Sequence, residues 1–369
     1  MRVLQLISPT GFYGAERWIL ALARHLKEFN VGCDLAVTSE DTSKRFELLD
    51  RFPIDNGQTH RVELKNRFDL RSIVALRKII ADRRIEIVHS HGYKSDVLGL
   101  LATRNSKTLC ISTPHGYGTG TNRKLKMLVR VGALALSRHD RVVPLSQQLV
   151  DETLALGIPH DKITLIGNGV DLVEIDAAKT DTDTEINGKS LRIGYVGQLI
   201  PRKRIQDLIE VFDMLWHNDQ SRTLDIVGDG PDRNKLEALA GDLPCSSAVH
   251  FHGFIEHRLE LMRQLDLFVM TSEDEGVPRC LMEAQAIGVP VAAYDIKGVN
   301  DLIIHGETGM LAPLGDQKKL ASYCESLLSE RISTLMMVDN GRKRVRDCYS
   351  AQKMAEGYAD LYHSLVSQT

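Results

Sequence analysis

Short runs rich in β-branched residues alternate with amphipathic stretches along the chain. In the first half VLQLI (3–7), CDLAVT (33–38), IEIVHSH (85–91) and RVVPLS (141–146) are such runs, each beside a stretch with helical apolar spacing. Apolar strands interleaved with helices are the pattern of a parallel sheet covered on both faces. The pattern fades across 172–190, where EIDAAKTDTDTEINGKS is polar and has no apolar period, and restarts at LRIGYVG (191–197). TLDIVGDG (223–230), VHFHGF (249–254), DLFVMTS (266–272) and VPVAAYD (289–295) then repeat the scheme. From about Arg331 to Val366 the pattern is almost wholly helical, with Met336, Met337, Tyr358, Leu361, Tyr362 and Leu365 as its apolar positions. The expected organisation is α/β: a doubly wound domain over 1–183 with its linker at about 172–190, a second over 184–345, and a C-terminal helix over 346–369 that caps the second domain or crosses back to the first.

Composition narrows the class. With 369 residues, 43% apolar and 26% charged, the chain is long enough for two cores of ordinary size. The opening MRVLQLISPTG is broken by Ser8, Pro9 and Gly11, so it reads as a first strand and lacks the long apolar stretch of a signal peptide. No window approaches the roughly 18 uninterrupted apolar residues of a membrane span. The six cysteines (Cys33, Cys110, Cys245, Cys280, Cys324, Cys348) are scattered, which suits buried free thiols and a cytoplasmic setting. Net charge is −3, with 26 Lys and Arg against 22 Asp and Glu to residue 183 and 20 against 27 beyond it. So modest an asymmetry does not point to nucleic acid, although it suits an N-terminal half that faces something anionic.

In open parallel sheets ligands bind beyond the carboxyl ends of the strands, so chemistry is expected in the loops there. SPTGFYGAE (8–16) is no GxGxxG, and it lacks the acidic residue about 20 positions on that a dinucleotide ribose needs. A dehydrogenase is disfavoured. Gly14 opens a helix there, where bare amides can meet a phosphate or an acceptor hydroxyl; the plainer reading is a tight turn. In VGQLIPRKR (196–204) the cluster Arg202, Lys203 and Arg204 suits charge developing on a departing diphosphate, or is a solvated surface run. EGVPRCLMEA (275–284) has Pro278 at a helix start, with Glu275 in the loop and Glu283 inside the helix. Even fully helical, eight positions span only about 12 Å, so both carboxylates can line one elongated ligand.

Taken together, EGVPRCLMEAQAIGVPVAAYD, IGNGVDL (166–172), VGQLIPRKRIQDLIEVF (196–212), VGDGP and GETGML (306–311) resemble the family-four retaining glycosyltransferases in order and spacing over nearly the whole chain. The resemblance implies a GT-B fold, in which two Rossmann-like domains face each other across a cleft and a C-terminal helix crosses back. The second domain then holds the donor nucleotide and the first the acceptor. By motif position Glu283 binds ribose hydroxyls and Glu275 the donor sugar. Gly276, Val277 and Pro278 present amides or a helix start to sugar and diphosphate, although Pro278 has no N–H to give. Lys203 falls at the family's diphosphate lysine, but Gln198 stands where many members carry arginine, so either Arg202 or Arg204 supplies the second charge or the diphosphate contact is weaker than in most relatives. His115, in STPHGYG (112–118), matches the family histidine near the anomeric carbon, as a hydrogen-bond partner of the donor sugar or acceptor.

His89 and His91 form a His-x-His that needs no ion, since alternate strand residues share a face and no third ligand is evident. Asp181-Thr182-Asp183 looks like the Asp-x-Asp metal motif of the other glycosyltransferase architecture but lies in the polar linker, so it is taken as solvated. Lys203, the neighbouring arginines and helix N-termini stand in for a divalent ion, so no metal and no cofactor are expected. The stretch 122–138 (NRKLKMLVRVGALALSR) places Arg123, Lys124, Lys126 and Arg130 beside Leu125, Leu128, Val129 and Leu134. It reads either as an interfacial helix on anionic lipid, putting the protein at the inner face of a membrane, or as a core helix with a basic outer face.

The resemblance implies transfer of a hexose unit from a UDP-linked nucleotide-sugar to a hydroxyl of a glycan or lipid-linked acceptor, with retention, in surface polysaccharide or lipopolysaccharide synthesis. Two other readings share the architecture: a GT-B-fold UDP-sugar 2-epimerase, and a nucleotide-sugar-binding protein without catalysis.

Overall fold

The computed structural model describes every residue except Thr10, Tyr13, Thr42, Lys44, 66–68, Leu70, 118–122, 179–189 and Thr369, and only the backbone of 123–129. Six strands, β1 (Arg2–Ile7), β2 (Gly32–Ser39), β3 (Thr59–Glu63), β4 (Ile87–His91), β5 (Leu109–Ser112) and β6 (Arg141–Val142), form one parallel sheet in the order β3-β2-β1-β4-β5-β6. Six more, β7 (Arg192–Val196), β8 (Thr223–Val227), β9 (Val249–Gly253), β10 (Leu267–Met270), β11 (Val291–Asp295) and β12 (Met310–Pro313), form a second in the order β12-β11-β10-β7-β8-β9. Both start at a central strand, wind outward to one edge, return and wind to the other. The central strands are buried along nearly their whole length, which is why they read as continuous apolar runs.

The chain divides into two compact units, Met1–Gly169 with Ala351–Thr369, and Val170–Ser350. The core of the first gathers Trp18, Ile19, Leu22 and Leu26 of the helix Gly14–Leu26 against Met354, Tyr358, Tyr362 and Leu365 of the helix Ala351–Ser367. That of the second is built around Tyr195, Phe212, Phe268 and Tyr294.

Several local expectations are corrected. RVVPLS yields only the two residues of β6, since Pro144 has no N–H for a sheet ladder. β3 and β12 lie at sheet edges and escape a reading by pattern, β3 because THRVE offers a single apolar residue and β12 because MLAP is only four residues long and ends at Pro313. The polar stretch 172–190 opens with a helix, Leu172–Ala177: the Asp171 carboxylate caps it by accepting from the amides of Val173 and Glu174 at 3.0 and 3.3 Å, and Ile175 is buried. The expected boundary at 183 and the Asp181-Thr182-Asp183 motif lie outside the described residues. In the helix Arg331–Cys348 the buried positions are Thr334, Gly341 and Val345, whereas Met336 is exposed. Cys33, Cys110, Cys245 and Cys324 are buried, Cys280 is half-buried and Cys348 is exposed.

The basic stretch 122–138 contains the helix Arg123–Leu136, on which Arg130, Val131 and Leu134 are exposed and Ala135 and Leu136 buried. Asn122 and the side chains of Arg123, Lys124, Leu125, Lys126, Leu128 and Val129 lie outside what the structure describes. No described helix is long and apolar enough to cross a membrane.

Candidate active site

Where the winding direction reverses, neighbouring strands send their following helices to opposite faces of the sheet and leave a crevice at their carboxyl ends. In the second unit this point lies between β7 and β10. The segments that leave these two strands are laced together. The Glu273 amide donates to the Arg202 carbonyl at 2.9 Å, the Thr271 hydroxyl donates to the Lys203 and Arg204 carbonyls at 3.1 and 2.9 Å, and Arg202 donates to the Asp274 carbonyl at 3.0 Å. This lacing brings Lys203 Nζ onto Glu275 Oε1, with both side chains buried, and sets Arg202 3.8 Å from the other Glu275 oxygen.

The backbone beneath Glu275 admits little change. Pro278 begins the helix Arg279–Ile287, its carbonyl accepting from the amides of Leu281 and Met282, and Gly276 and Val277 are half-buried before it. Gly298, at a φ of +84°, packs so closely on this turn that a Cβ would lie 1.9 Å from the Gly276 carbonyl oxygen. The loop after β8 makes a matching contact through Gly228, where a Cβ would fall 1.8 Å from the Gly197 carbonyl oxygen.

Glu283 is held by a charge cluster that sequence reading missed. Arg258 donates through Nη2 to Glu283 Oε1 at 2.5 Å and through Nε to Oε2 at 3.1 Å, and Arg279 donates to Oε1 at 2.8 Å. Glu174 accepts from both arginines at 3.4 and 3.5 Å. Burial raises the Glu283 pKa, but the two guanidinium groups outweigh it and hold the carboxyl down at about 2. Three of roughly four lone-pair directions on the carboxylate are in use, which leaves room to accept from one hydroxyl. Arg279, four positions before Glu283 on the helix, was the available signal.

Two residues near the switch point behave differently from their neighbours. Arg204, itself at a φ of +47°, turns its guanidinium onto Asp207 at 2.8 Å and Glu273 at 3.4 Å, so its charge is balanced close to its own loop. Gln198 is exposed, and its carbonyl accepts from the Tyr195 hydroxyl at 3.2 Å.

In the first unit Gly14 begins its helix at an exposed position where a Cβ would meet nothing among the described residues within 4 Å. His115 follows β5, half-buried, with Nε2 3.1 Å from His91 Nδ1 and Trp18 edge-on at 5.3 Å between ring centroids. Burial takes its pKa down to about 4, so the ring is neutral at pH 7. His89 and His91 do share a face, and protein groups engage their ring nitrogens: Tyr362 and Thr113 bond His89 at 2.7 and 2.8 Å, while Gln5 and His115 bond His91.

Known proteins resemble both halves of the chain. Residues 12–174 match the family model described as Glycosyltransferase Family 4, and residues 176–344 the one described as Glycosyl transferases group 1. The chain is 25% identical to the N-acetyl-alpha-D-glucosaminyl L-malate synthase of Bacillus anthracis, over 81% of its own length and 80% of the relative's. It is 26% identical to the UDP-Gal:alpha-D-GlcNAc-diphosphoundecaprenol alpha-1,3-galactosyltransferase of Escherichia coli, with the same two shares. Among solved structures, Anabaena Alr3699/HepE in complex with UDP superposes with a TM-score of 0.82 at 18% identity, covering 99% of this chain and 100% of the other.

Proposed function

This chain belongs to the group 1 and family 4 glycosyltransferases and has their two-domain GT-B fold, and from that premise we propose that it moves a hexose unit from a UDP-sugar to a hydroxyl of a glycan or lipid-linked acceptor, retaining the anomeric configuration and needing no divalent ion. The observation that carries this reading is the convergence of Lys203 and Arg202 on Glu275 at the β7/β10 switch point. Lys203 and Arg202 present positive charge to the diphosphate, in the place a metal ion would otherwise take. Arg204, tied to Asp207, helps to hold the loop. Glu275 accepts from the donor sugar's hydroxyls, Glu283 from the ribose, and Gly276, Val277 and Pro278 shape the turn between them. Gly14 and His115 act from the first unit, Gly14 through the open helix start and His115 through its ring.

In the step itself the bond from the anomeric carbon to the diphosphate oxygen breaks, the bond to the acceptor oxygen forms on the same face, and the acceptor's proton goes to the leaving diphosphate. The donor assignment draws support from the E. coli relative, named for UDP-Gal, and from the Anabaena complex with UDP. The same relative's lipid-linked acceptor supports a place in surface polysaccharide or lipopolysaccharide synthesis.

The test is a panel of nucleotide-sugars with lipid-linked and free acceptors, following nucleotide release and the anomeric configuration of the product, with and without excess EDTA. UDP release coupled to a retained linkage, unchanged by EDTA, is expected. Glu275→Gln and Lys203→Gln should each lower kcat at least about 100-fold, the scale of losing an electrostatic contact in a transition state. Epimerisation without release, binding without turnover, or an EDTA loss reversed by Mn²⁺ would each overturn a component of the reading.

A further inference from the structure

Behind His115 lies a hydrogen-bonded relay that the transfer step does not use. Gln5, on β1, turns its side-chain carbonyl to His91 Nε2 at 2.7 Å, and His91 Nδ1 meets His115 Nε2 at 3.1 Å. Gln5 and His91 are buried. Trp18 closes the other side, its ring 5.3 Å from those of His91 and His115.

The protons along this relay follow from charge and valence. Burial, reinforced by His89 and His115, takes His91 well below the ordinary histidine range, and burial does the same to His115, so each ring carries one N–H at pH 7. The Gln5 carbonyl can only accept, so His91 places its proton on Nε2. His91 Nδ1 is then a bare lone pair, which His115 meets with a proton on Nε2. What remains on His115 is an unprotonated Nδ1, to which no described residue bonds. The Gln5 amide nitrogen is buried with no hydrogen-bond partner among the described residues. Turned over, the amide would donate to His91 and every proton in the relay would reverse.

We infer that Gln5 and His91 are positioning residues that lock His115 in its Nε2–H tautomer, so that Nδ1 is a fixed acceptor for a hydroxyl of the donor sugar or of the acceptor. This rests on the site role proposed for His115 and specifies its chemistry: the ring accepts a hydrogen bond and does not donate one.

The tautomer can be read directly by long-range proton–nitrogen correlation in the full chain labelled with [15N]histidine, His115 being assigned from His115→Asn. In the wild type at pH 7, His115 should carry its proton on Nε2 alone. Gln5→Met, which leaves His91 free to turn its proton either way, should mix the two tautomers at His115, and His91→Phe should do so with the aromatic packing kept. In each variant kcat should fall in proportion to the Nε2–H population, about twofold for an even mixture. A proton on His115 Nδ1 in the wild type, or a folded Gln5→Met protein with an unmixed Nε2–H tautomer, overturns the lock. The site role fails separately: His115→Ala with wild-type transfer would remove it whatever the tautomer.

Discussion

Glu283 and Glu275 are both buried carboxylates beside cations, yet they are held differently. Glu275 meets one buried lysine and the outlying Arg202, whereas Glu283 is clamped by two guanidinium groups that fix the angle of its carboxylate plane. The clamp has a pH signature. The folded pKa of Glu283, about 2, lies below its ordinary 4.5, so the pairing contributes stability that is fully present above about pH 4.5 and lost as pH falls towards 2. Glu283→Gln, which leaves Arg258 and Arg279 without their shared anion, should cost about 3 kcal/mol at pH 7. That gap from the wild type should close on acidification, as seen in urea midpoints between about pH 7 and pH 2.5. A gap that stays constant over that range would remove the clamp from the account.

At the scale of elements, the site is a set of loops held against one another by backbone contacts. The segments after β7 and β10 exchange hydrogen bonds, the loop after β8 leans on the first through Gly228, and the loop after β11 leans on the second through Gly298. At Gly298 both reasons for glycine apply, a left-handed φ and a carbonyl oxygen where Cβ would go. Gly298→Ala should therefore push the Glu275–Gly276 turn away from Lys203. The expected result is about 1–3 kcal/mol lost in thermal or urea unfolding together with a transfer rate at least about tenfold lower. Alanine at Gly14, where a Cβ meets nothing within 4 Å among the described residues, is the fitting contrast for stability, which should stay within about 0.5 kcal/mol of wild type. These loops were legible as strand ends in the sequence. The glycine contacts were not, because a glycine shows its reason only when the opposing backbone is in place.

At the scale of the whole molecule, one winding scheme occurs twice, β3-β2-β1-β4-β5-β6 and β9-β8-β7-β10-β11-β12 in the second sheet read from its other edge. Each unit has its own core, but the first borrows its last helix from the end of the chain. Tyr358 and Tyr362 of that helix are fully buried and bond Thr113 and His89, beside the relay that leads to His115. Removing residues 351–369 should therefore abolish the cooperative unfolding of the first unit and leave that of the second, Val170–Ser350, in calorimetry. Loss of both transitions, or of neither, would contradict this division of the cores.

The sequence by itself determined what neighbours along the chain decide. Apolar runs marked most of the strands, Pro278 marked a helix start, and Glu275 and Glu283 stood one loop and about one helical turn apart. Each of these signals comes from a window of about ten residues, in which periodicity and turn chemistry act directly. Strand order decided the rest. Lys203 reaches Glu275 across 72 positions because β7 and β10 are neighbours, and Arg258 reaches Glu283 across 25. His89 meets Tyr362 across 273. No local pattern encodes those distances, since they follow from how each sheet is wound. For the same reason the sequence left Arg202 and Arg204 as equals for the second charge beside Lys203, and only the fold turned Arg204 onto Asp207 and set Arg202 with Lys203 at Glu275.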